Sequence, residues 1–298
     1  MKYGENPHQQ SYLLKDNDFD SSFGKIIDKK EISYNNLLDT DAAINCVKEF
    51  NEPTCIIIKH NNPCAVASGK NIYDAFVKAY KSDPISSFGG IVCLNRIINY
   101  KLAKKLRSYF FEIIVAKKFN KESLAVLNKK KRPLLVQLPV KMKKAQIETK
   151  SINGGILKQN KNSIMLNSKK FHCVSKLKAS KKTLEDLIFA MKVCKHVKSN
   201  AIVLVKNKKT IGIGAGQMSR IDATRIALLK TSKINKNAGF VAASDAFFPF
   251  TDSLKLLISN NCKSVIQPSG SLNDIKNIRY ANNHKISLYF MKYRFFKH

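Results

Sequence analysis

The sequence predicts a layered α/β fold of two tandem units with mixed, largely parallel sheets. Short runs rich in Ile and Val alternate along the chain with segments of helical periodicity. Both halves repeat one order of elements: helix, apolar strand, Lys-containing turn, Gly-containing segment, helix, strand and a Phe-bearing loop (86–90 and 244–250). A chain of 298 residues, 44% of them apolar, can bury the core of two ordinary domains. We therefore place the first unit at residues 1–165 and the second at residues 166–298.

The pattern predicts these elements in order. In the first unit we expect strands at 25–27, 55–58, 91–94 and 113–115, with helices near 73–81 and 101–110 and a helix capped by Asp39 or Thr40. In the second unit we expect strands at 201–205, 239–243, 264–267 and 286–290, with helices at 183–198, 220–230 and 253–260. Thr183 and Asp186 resemble a capping box at the start of the first of these helices.

Composition narrows the class of protein. No apolar run approaches the roughly 18 residues of a membrane span, and the first ten residues lack the apolar core of a secretory signal. The seven cysteines form no C-x-x-C pair, which is typical of reduced thiols in a cytoplasmic protein. We therefore expect a cytoplasmic protein that makes no membrane contact.

The charge is the one extreme value, with 53 basic and 21 acidic residues and a net charge of +32. Such a charge alone favours nucleic-acid binding. Only seven of the basic residues are Arg, however, and the 46 Lys are spread along the chain without a base-reading module. We interpret the excess as compositional drift toward Lys, Asn and Ile, with no specific nucleic-acid partner and a weak affinity for polyanions.

Residues 55–64 organise the rest of the chain. A buried strand at 55–58 runs directly into Lys59 and His60, and the dipeptide Asn61-Asn62 before a Pro announces a turn. Groups just past the carboxyl end of a buried strand line the ligand crevice in many α/β folds. A Lys beside a His can serve in proton transfer, because the cation favours the neutral imidazole and can polarise an oxygen. The alternative is a strand that ends in a solvated Lys and a surface His.

Other motifs are less specific. The glycines at 212–216 miss the dinucleotide-binding spacing, because Gln217 stands where the third Gly is needed, so they indicate either a ligand-facing turn beside Arg220 or a tight strand-to-helix turn. Pro63-Cys64 is half of a zinc-deaminase signature, but the second Cys and an upstream H-x-E are missing, so no zinc is expected. The Phe-rich loop at 247–250 suits either the core or a flat aromatic ligand, and Arg294 suits a phosphate.

Seven motifs in order resemble one family. They are Lys-Tyr-Gly-Glu-Asn-Pro-His-Gln (2–9), Lys-His-Asn-Asn-Pro-Cys (59–64), Asp-Pro-Ile-Ser-Ser-Phe-Gly-Gly (83–90), Val-Lys-Ser-Asn-Ala-Ile (197–202), Gly-Ile-Gly-Ala-Gly-Gln-Met-Ser-Arg (212–220), Ser-Asp-Ala-Phe-Phe-Pro-Phe (244–250) and Tyr-Arg-Phe-Phe-Lys-His (293–298). Together they are similar to the AICAR transformylase portion of the bifunctional AICAR transformylase/IMP cyclohydrolase family, over essentially the whole chain. The resemblance implies two cytidine-deaminase-like units without zinc. The family's cyclohydrolase domain normally precedes the first motif, and we expect it to be absent here.

The resemblance implies formyl transfer from 10-formyltetrahydrofolate, the co-substrate, to the 5-amino group of AICAR, giving FAICAR and tetrahydrofolate in purine biosynthesis. It also implies a homodimer with sites at the interface, no metal in the chemistry, and a separate IMP cyclohydrolase as a possible partner.

Site residues are carried over motif by motif. Catalysis would fall to His60 as the proton acceptor, to Lys59 as its tuning and oxyanion-stabilising neighbour, and to Asn200. AICAR would be held by Lys2, Tyr3, Phe88, Gly89, Glu112, Arg220, Phe247, Asp252 and Arg294. The folate would be bordered by Ile85, Ile221, Pro249 and Phe250.

This chain departs from the family pattern at several positions. Lys2 stands where the family usually has Arg, and Ala65 replaces a Gly, which would cost stability if the backbone there needed a positive φ. Lys117 replaces a Pro, and Ser269 and Asn273 alter a Gly- and Arg-containing run. Two alternatives to the enzyme therefore stay open: a decayed homologue that acts as an interaction subunit, and a basic nucleic-acid-binding protein.

Overall fold

One long β-sheet runs through the whole protein and carries helices on both faces. The computed structural model describes residues 1, 3–15, 19–27, 32–128, 133–139, 147–231 and 239–298. Among these residues the sheet has 12 strands. The predicted fold class, a layered α/β protein, is confirmed.

The elements have these bounds. The first half contains β1 (Lys25–Ile26), β2 (Thr54–Lys59), β3 (Asn62–Ser68), β4 (Ile91–Ile98), β5 (Ile113–Phe119), β6 (Leu134–Gln137), α1 (Phe19–Ser22), α2 (Tyr34–Val47), α3 (Ile72–Tyr80), α4 (Pro84–Ser87), α5 (Tyr100–Arg107) and α6 (Lys121–Leu127). A separate hairpin follows, formed by β7 (Ile147–Ile152) and β8 (Gly155–Asn160). The second half contains β9 (His172–Cys173), β10 (Ile202–Lys206), β11 (Lys209–Gly214), β12 (Phe240–Ser244), β13 (Cys262–Pro268), β14 (Ser287–Met291), α7 (Lys181–Cys194), α8 (Arg220–Lys230), α9 (Asp252–Ser259) and α10 (Asp274–Asn283), with a 3-10 turn at Ser168–Lys170.

The strand order shows the duplication. It runs β1-β6-β5-β4-β2-β3 in the first half and continues as β11-β10-β12-β13-β14-β9 in the second, so the two halves mirror each other about the β3–β11 seam. In each half an antiparallel hairpin is followed by one antiparallel and two parallel neighbours. The pairing is therefore more antiparallel than the sequence predicted, because both hairpins and the seam are antiparallel. The unit boundary at 165/166 stays a prediction.

The two units are joined by the seam and by a shared core. Lys209 of β11 pairs with Ala67 of β3, and Thr210 Oγ1 lies 2.9 Å from the backbone nitrogen and 3.2 Å from the carbonyl oxygen of Val66. Helices α2 and α7 cover one face of the sheet over a single apolar cluster that extends through both units. On the opposite face α3, α5 and α6 cover the first unit and α8, α9 and α10 the second, each with its own cluster.

Three sequence predictions were wrong in detail. Strand β3 was missed, because residues 62–68 carry no strict alternation. Helix α2 begins before Asp39: Ser33 caps it by accepting a hydrogen bond from the backbone nitrogen of Asn36 (3.2 Å). Helix α7 is likewise capped by Ser180 and not by a box of Thr183 and Asp186. Ala65 lies buried within β3, where extended backbone accepts any side chain, so the replacement of Gly needs no special conformation there.

A buried ionic cluster joins the C-terminal ends of α2 and α7. Glu49 Oε1 lies 2.7 Å from Lys195 Nζ and 3.2 Å from His196 Nε2. Burial opposes ionisation of Glu49, but the hydrogen bonds and charges of His196 and Lys195 outweigh it and lower the pKa to about 2. Burial also lowers the pKa of His196 below its ordinary value, so the folded protein resists protonation of this imidazole. The carboxylate therefore contributes stability above pH 4.5 that is lost as the pH falls toward 2.

We expect His196 to make the stability of the fold depend on pH in a range higher than that of Glu49. Below about pH 6.5 the unfolded chain protonates His196 while the folded chain resists protonation, so stability falls as the pH drops. In His196→Gln the loss of Tm between pH 7.5 and 5.5 should be smaller than in wild type, as measured by thermal melts. His172→Gln, at an exposed histidine, is the matched control and should melt like wild type at both pH values. Equal losses in wild type and His196→Gln would contradict the prediction.

Candidate active site

The site lies at one edge of the sheet, where the two units meet. Strand β2 ends there, and because β4 is antiparallel to β2 and β5 is parallel to β4, the starts of β4 and β5 lie at the same edge. In the second unit the start of β10 and the ends of β11 and β12 are level with one another. The backbone nitrogen of Lys198 donates to Asn62 Oδ1 (2.9 Å), which joins the two sets of strand ends. The predicted residues Lys59, His60 and Asn200 therefore share one edge.

His60 sits in a tight hairpin turn. Lys59 and Asn62 are paired in the β2–β3 ladder, so His60 and Asn61 form a two-residue loop, and their φ angles are 50° and 61°. Both residues thus adopt the left-handed conformation, which costs roughly 1 kcal/mol or more for each non-Gly residue. The turn leaves the His60 side chain exposed at the edge, where it can reach a ligand.

Lys59 is held against the glycines of the first unit. Its Nζ donates to the carbonyl oxygen of Phe88 (2.6 Å). Gly89 has a φ of 67°, and a Cβ there would come within 3.2 Å of Lys59 Nζ. Gly89 therefore provides both the turn and the room for the ammonium group. Phe88 is 64% exposed and its ring lies 5.1 Å from that of Phe110.

Two carboxylates lie close to the turn. Asp39 Oδ1 accepts a hydrogen bond from the backbone nitrogen of Asn61 (2.5 Å). Burial raises the pKa of Asp39, and the negative charge of Glu112 raises it further. The hydrogen bond from Asn61 and the charge of His60 lower the pKa but do not outweigh the burial. Glu112 is exposed, and its backbone nitrogen donates to the carbonyl oxygen of Gly90 (3.2 Å). Glu112 thus belongs to the same edge as His60.

Asn200 and Arg220 belong to a buried polar network. Asn200 Oδ1 accepts from Arg220 Nη2 (2.6 Å), and Asn200 Nδ2 donates to the carbonyl oxygens of Gln217 (2.8 Å) and Met218 (3.1 Å). Arg220 is 7% exposed, forms an ion pair with the fully buried Asp245, and donates to Ser244 Oγ (2.9 Å). This arrangement fixes the orientation of the Asn200 amide and leaves one lone pair of Oδ1 for a ligand.

The aromatic loop and the C-terminal segment lie beside this network. Phe248 is buried in the core, as one of the two sequence interpretations held, whereas Phe247 and Pro249 are half-buried and Phe250 is 64% exposed. The backbone nitrogen of Phe295 donates to the carbonyl oxygen of Asp245 (2.8 Å), which brings the exposed Arg294 to the same region.

The remaining predicted residues lie around this edge or in neighbouring segments. Ile85 is 76% exposed in α4, Ile221 is half-buried in the first turn of α8, and Asp252 is the exposed first residue of α9. Tyr3 lies in the N-terminal turn, which is tied to α2 by the hydrogen bond from Asn35 Nδ2 to the carbonyl oxygen of Glu5 (3.0 Å). Lys2 lies outside the described residues.

The glycine-rich strand serves packing. A Cβ on Gly212 or Gly214 would overlap the carbonyl oxygens of Ala227 and Ala223, so both glycines let α8 approach β11 closely. Gly216, with a φ of 66°, makes the turn that precedes Ser219 and Arg220. For Gly212 and Gly214 the structural interpretation of the motif is therefore the correct one.

Sequence reasoning missed three residues that build the site. Asn62 joins the units, Asp245 anchors Arg220, and Asp39 holds the His60 turn although it was interpreted as a helix cap. The sequence signals for them were the Asn-Asn-Pro turn at 61–63 and the Ser-Asp pair before the Phe-rich loop. Within the described ranges no three His, Cys, Asp or Glu side chains are grouped to hold a metal ion, and no helix there is long and apolar enough to cross a bilayer.

The duplicated sheet, with helices on both faces and a Lys-His turn at the edge where its halves meet, defines a tandem α/β protein with a polar candidate site at that junction. The model of the AICARFT/IMPCHase bienzyme family matches residues 1–230. The chain belongs to that family.

Curated relatives support the assignment over the full chain. The chain is 44% identical to the bifunctional purine biosynthesis protein PurH of Acetivibrio thermocellus over 304 residues and 45% identical to that of Caldicellulosiruptor bescii over 304 residues. It is 44% identical to the PurH of Buchnera aphidicola over 310 residues. Each alignment covers 100% of this chain but 58% or 59% of the relative, so the chain spans about three-fifths of their length.

Proposed function

We propose that this chain transfers a formyl group from 10-formyltetrahydrofolate to the 5-amino group of AICAR. The observation that carries the proposal is the joining of the Lys59-His60 turn to the Asn200 segment through the hydrogen bond between Lys198 and Asn62. The turn offers a base and a cation at an open edge, and Asn200 offers an amide oxygen of fixed orientation. Family membership supports the same reaction.

The chemistry assigned to each side chain follows from its position. The amine nitrogen of AICAR bonds to the formyl carbon, the bond from that carbon to N10 of the folate breaks, and the amine proton ends on N10. The exposed His60 carries this proton, since it can accept it from the amine and return it to N10. Lys59 Nζ keeps donors beyond its hydrogen bond to Phe88, and these stabilise the oxyanion that forms on the formyl oxygen. The free lone pair of Asn200 Oδ1 accepts from the amine or the carboxamide.

AICAR would lie along the edge between the two units. Phe88, Gly89 and Glu112 would contact it from the first unit, and Phe247, Asp252 and Arg294 from the second, with Tyr3 and Lys2 from the N-terminal segment. Arg220 is committed to Asp245 and Asn200, so its main part in binding would be to hold Asn200. The cationic side chains of Lys2 and Arg294 suit the phosphate of AICAR, and the aromatic ring of Phe88 or Phe247 suits its imidazole.

The folate would occupy the apolar margin of the site, bordered by Ile85, Ile221, Pro249 and Phe250. Ile85 and Phe250 are exposed apolar side chains, which suit a flat pteridine ring. We further propose a homodimer, supported by the exposure of Phe88, Phe250 and Met218, the last of which is 99% exposed beside Asn200. The product FAICAR would pass to an IMP cyclohydrolase, and a cytoplasmic location stays a prediction.

The test is formyl transfer by the purified chain, followed as release of tetrahydrofolate with saturating AICAR. Turnover that requires both substrates supports the proposal. Folded protein that shows no turnover at any AICAR concentration would contradict it and favour the decayed homologue. Size-exclusion chromatography with light scattering on the same sample tests the homodimer.

A second candidate function rests on a basic, aromatic cleft in the first unit. Its volume is about 360 Å³, and Lys101, Lys104, Lys105, Tyr73 and Tyr100 line it. Lys101 Nζ lies 5.0 Å from the ring centroid of Tyr73, and Lys104 Nζ lies 4.5 Å from that of Tyr100. Cations beside exposed aromatic rings are typical of single-stranded nucleic-acid sites that lack sequence preference.

Anisotropy of a labelled oligothymidylate at physiological salt distinguishes such a site from diffuse charge. The cleft variant replaces Lys101, Lys104 and Lys105 by Ser, and the control replaces the exposed Lys176, Lys178 and Lys181, so both lose the same charge. A loss of affinity confined to the cleft variant supports the second candidate. Equal losses would indicate only the nonspecific effect of net charge.

A further inference from the structure

The aspartate in the sixth position of α2 has a counterpart in α7. Asp39 Oδ1 accepts a hydrogen bond from the backbone nitrogen of Asn61 (2.5 Å), the second residue of the His60-Asn61 turn between β2 and β3. Asp186, the sixth residue of α7, accepts from the backbone nitrogens of Asn207 (2.8 Å) and Lys208 (2.7 Å). Asn207 and Lys208 form the β10–β11 turn, and each has a φ of 52°. The duplicated units thus contain the same device twice: a helix carboxylate that holds a left-handed, two-residue turn.

The two copies differ in what the turn carries. In the second unit the turn presents Asn207 and Lys208 at the sheet edge opposite the site, because β10 runs antiparallel to β11 and begins at the site edge. In the first unit the turn presents His60 at the site itself. The device therefore has a purely structural duty in one copy, whereas in the other it also fixes the backbone from which the imidazole projects.

We infer that Asp39 is a positioning residue for formyl transfer: by binding the backbone of the His60-Asn61 turn, it holds His60 where the amine proton must be taken up. The inference rests on the proposed function. The carboxylate binds the backbone N–H of Asn61 inside this left-handed turn, which stabilises the turn and limits the directions in which the adjoining His60 can point. A displacement of about 1 Å at a catalytic group can cost on the order of 100-fold in rate.

Asp39→Ala should lower kcat by roughly 10- to 100-fold with little change in the KM for AICAR, because the substrate-binding groups are untouched. Asp39→Asn keeps one acceptor and should recover part of the rate. The matched control is Asp186→Ala, which removes the same contact from the other unit and should leave kcat per folded enzyme within about twofold of wild type. Equal losses of kcat in Asp39→Ala and Asp186→Ala would overturn the inference, since both would then report general destabilisation.

A double variant tests whether Asp39 acts through His60. In a His60→Asn background, Asp39→Ala should cause no further loss of kcat, because the group that it positions is already missing. A further loss equal to that in the wild-type background would overturn the inference.

Amide hydrogen exchange at Asn61 tests the contact without reference to activity. Exchange should be at least about tenfold faster in Asp39→Ala than in wild type, and unchanged in Asp186→Ala. Unchanged protection of Asn61 in Asp39→Ala would overturn the inference even in an active enzyme. Faster exchange in a protein that shows no formyl transfer would instead count against the proposed function alone.

Discussion

His60→Asn is expected to lower kcat for formyl transfer by about 100- to 10,000-fold, the usual contribution of a general acid–base group. Asn is chosen over Ala because it tolerates the left-handed conformation that residue 60 adopts, with a φ of 50°. The substitution thus removes the base while it preserves the turn. Steady-state rates at saturating AICAR and formylfolate measure the effect.

The control for His60→Asn is His172→Asn, at an exposed histidine in β9. It should leave kcat and KM unchanged. If His60→Asn retained more than about a tenth of the wild-type kcat, another group would have to carry the proton and the assigned role of His60 would be wrong.

Arg220→Met is expected to destabilise the second unit strongly, because it leaves the carboxylate of Asp245 buried without its cation. Arg220 is 7% exposed and Asp245 is fully buried. Loss of one partner of a buried ion pair typically costs about 3–5 kcal/mol, which for a protein of this size corresponds to a drop in Tm on the order of 10 °C. Thermal unfolding followed by circular dichroism measures the change.

The chain offers a matched control at the next Arg of the same helix. Arg225 Nη1 lies 2.8 Å from Asp222, but both side chains are largely exposed, so water screens the pair. Arg225→Met should therefore leave Tm nearly unchanged. Similar drops in Tm in both variants would mean that the buried ion pair contributes no more to stability than the exposed one. The double variant Arg220→Met/Asp245→Leu removes both buried charges and should recover part of the lost stability.

Much of the fold was predictable because local signals agree with the tertiary structure. The apolar run at 55–58 is buried as β2, and the repeated order of elements corresponds to two units of identical strand pairing. The Lys59-His60 motif was predicted to lie at a strand end, and it does. The roles of the individual site residues stay predictions.

Features that depend on distant parts of the chain could not be predicted. Asp39 looks like a helix cap in sequence because Asp, like Ser33, is a residue type that caps helices, whereas the turn that binds the Asp39 carboxylate lies 22 residues further on. The burial of Arg220 was hidden for the same reason, because its partner Asp245 is 25 residues away. Strand β3 escaped detection because it is buried between β2 and β11 and therefore lacks a polar face.

The seam between β3 and β11 determines what would become of each half alone. In either half alone, β3 or β11 would become an edge strand with unpaired backbone groups, and such a strand is a template for aggregation. One side of the apolar cluster beneath α2 and α7 would also be uncovered. The link between the halves, by contrast, includes the exposed β7–β8 hairpin, whose tip at Gly154 has nothing within 4 Å of a Cβ position. Proteolytic cleavage at that tip would accordingly leave two fragments that stay associated. The β3–β11 seam and the shared core, and not the covalent link through the hairpin, hold the two halves together.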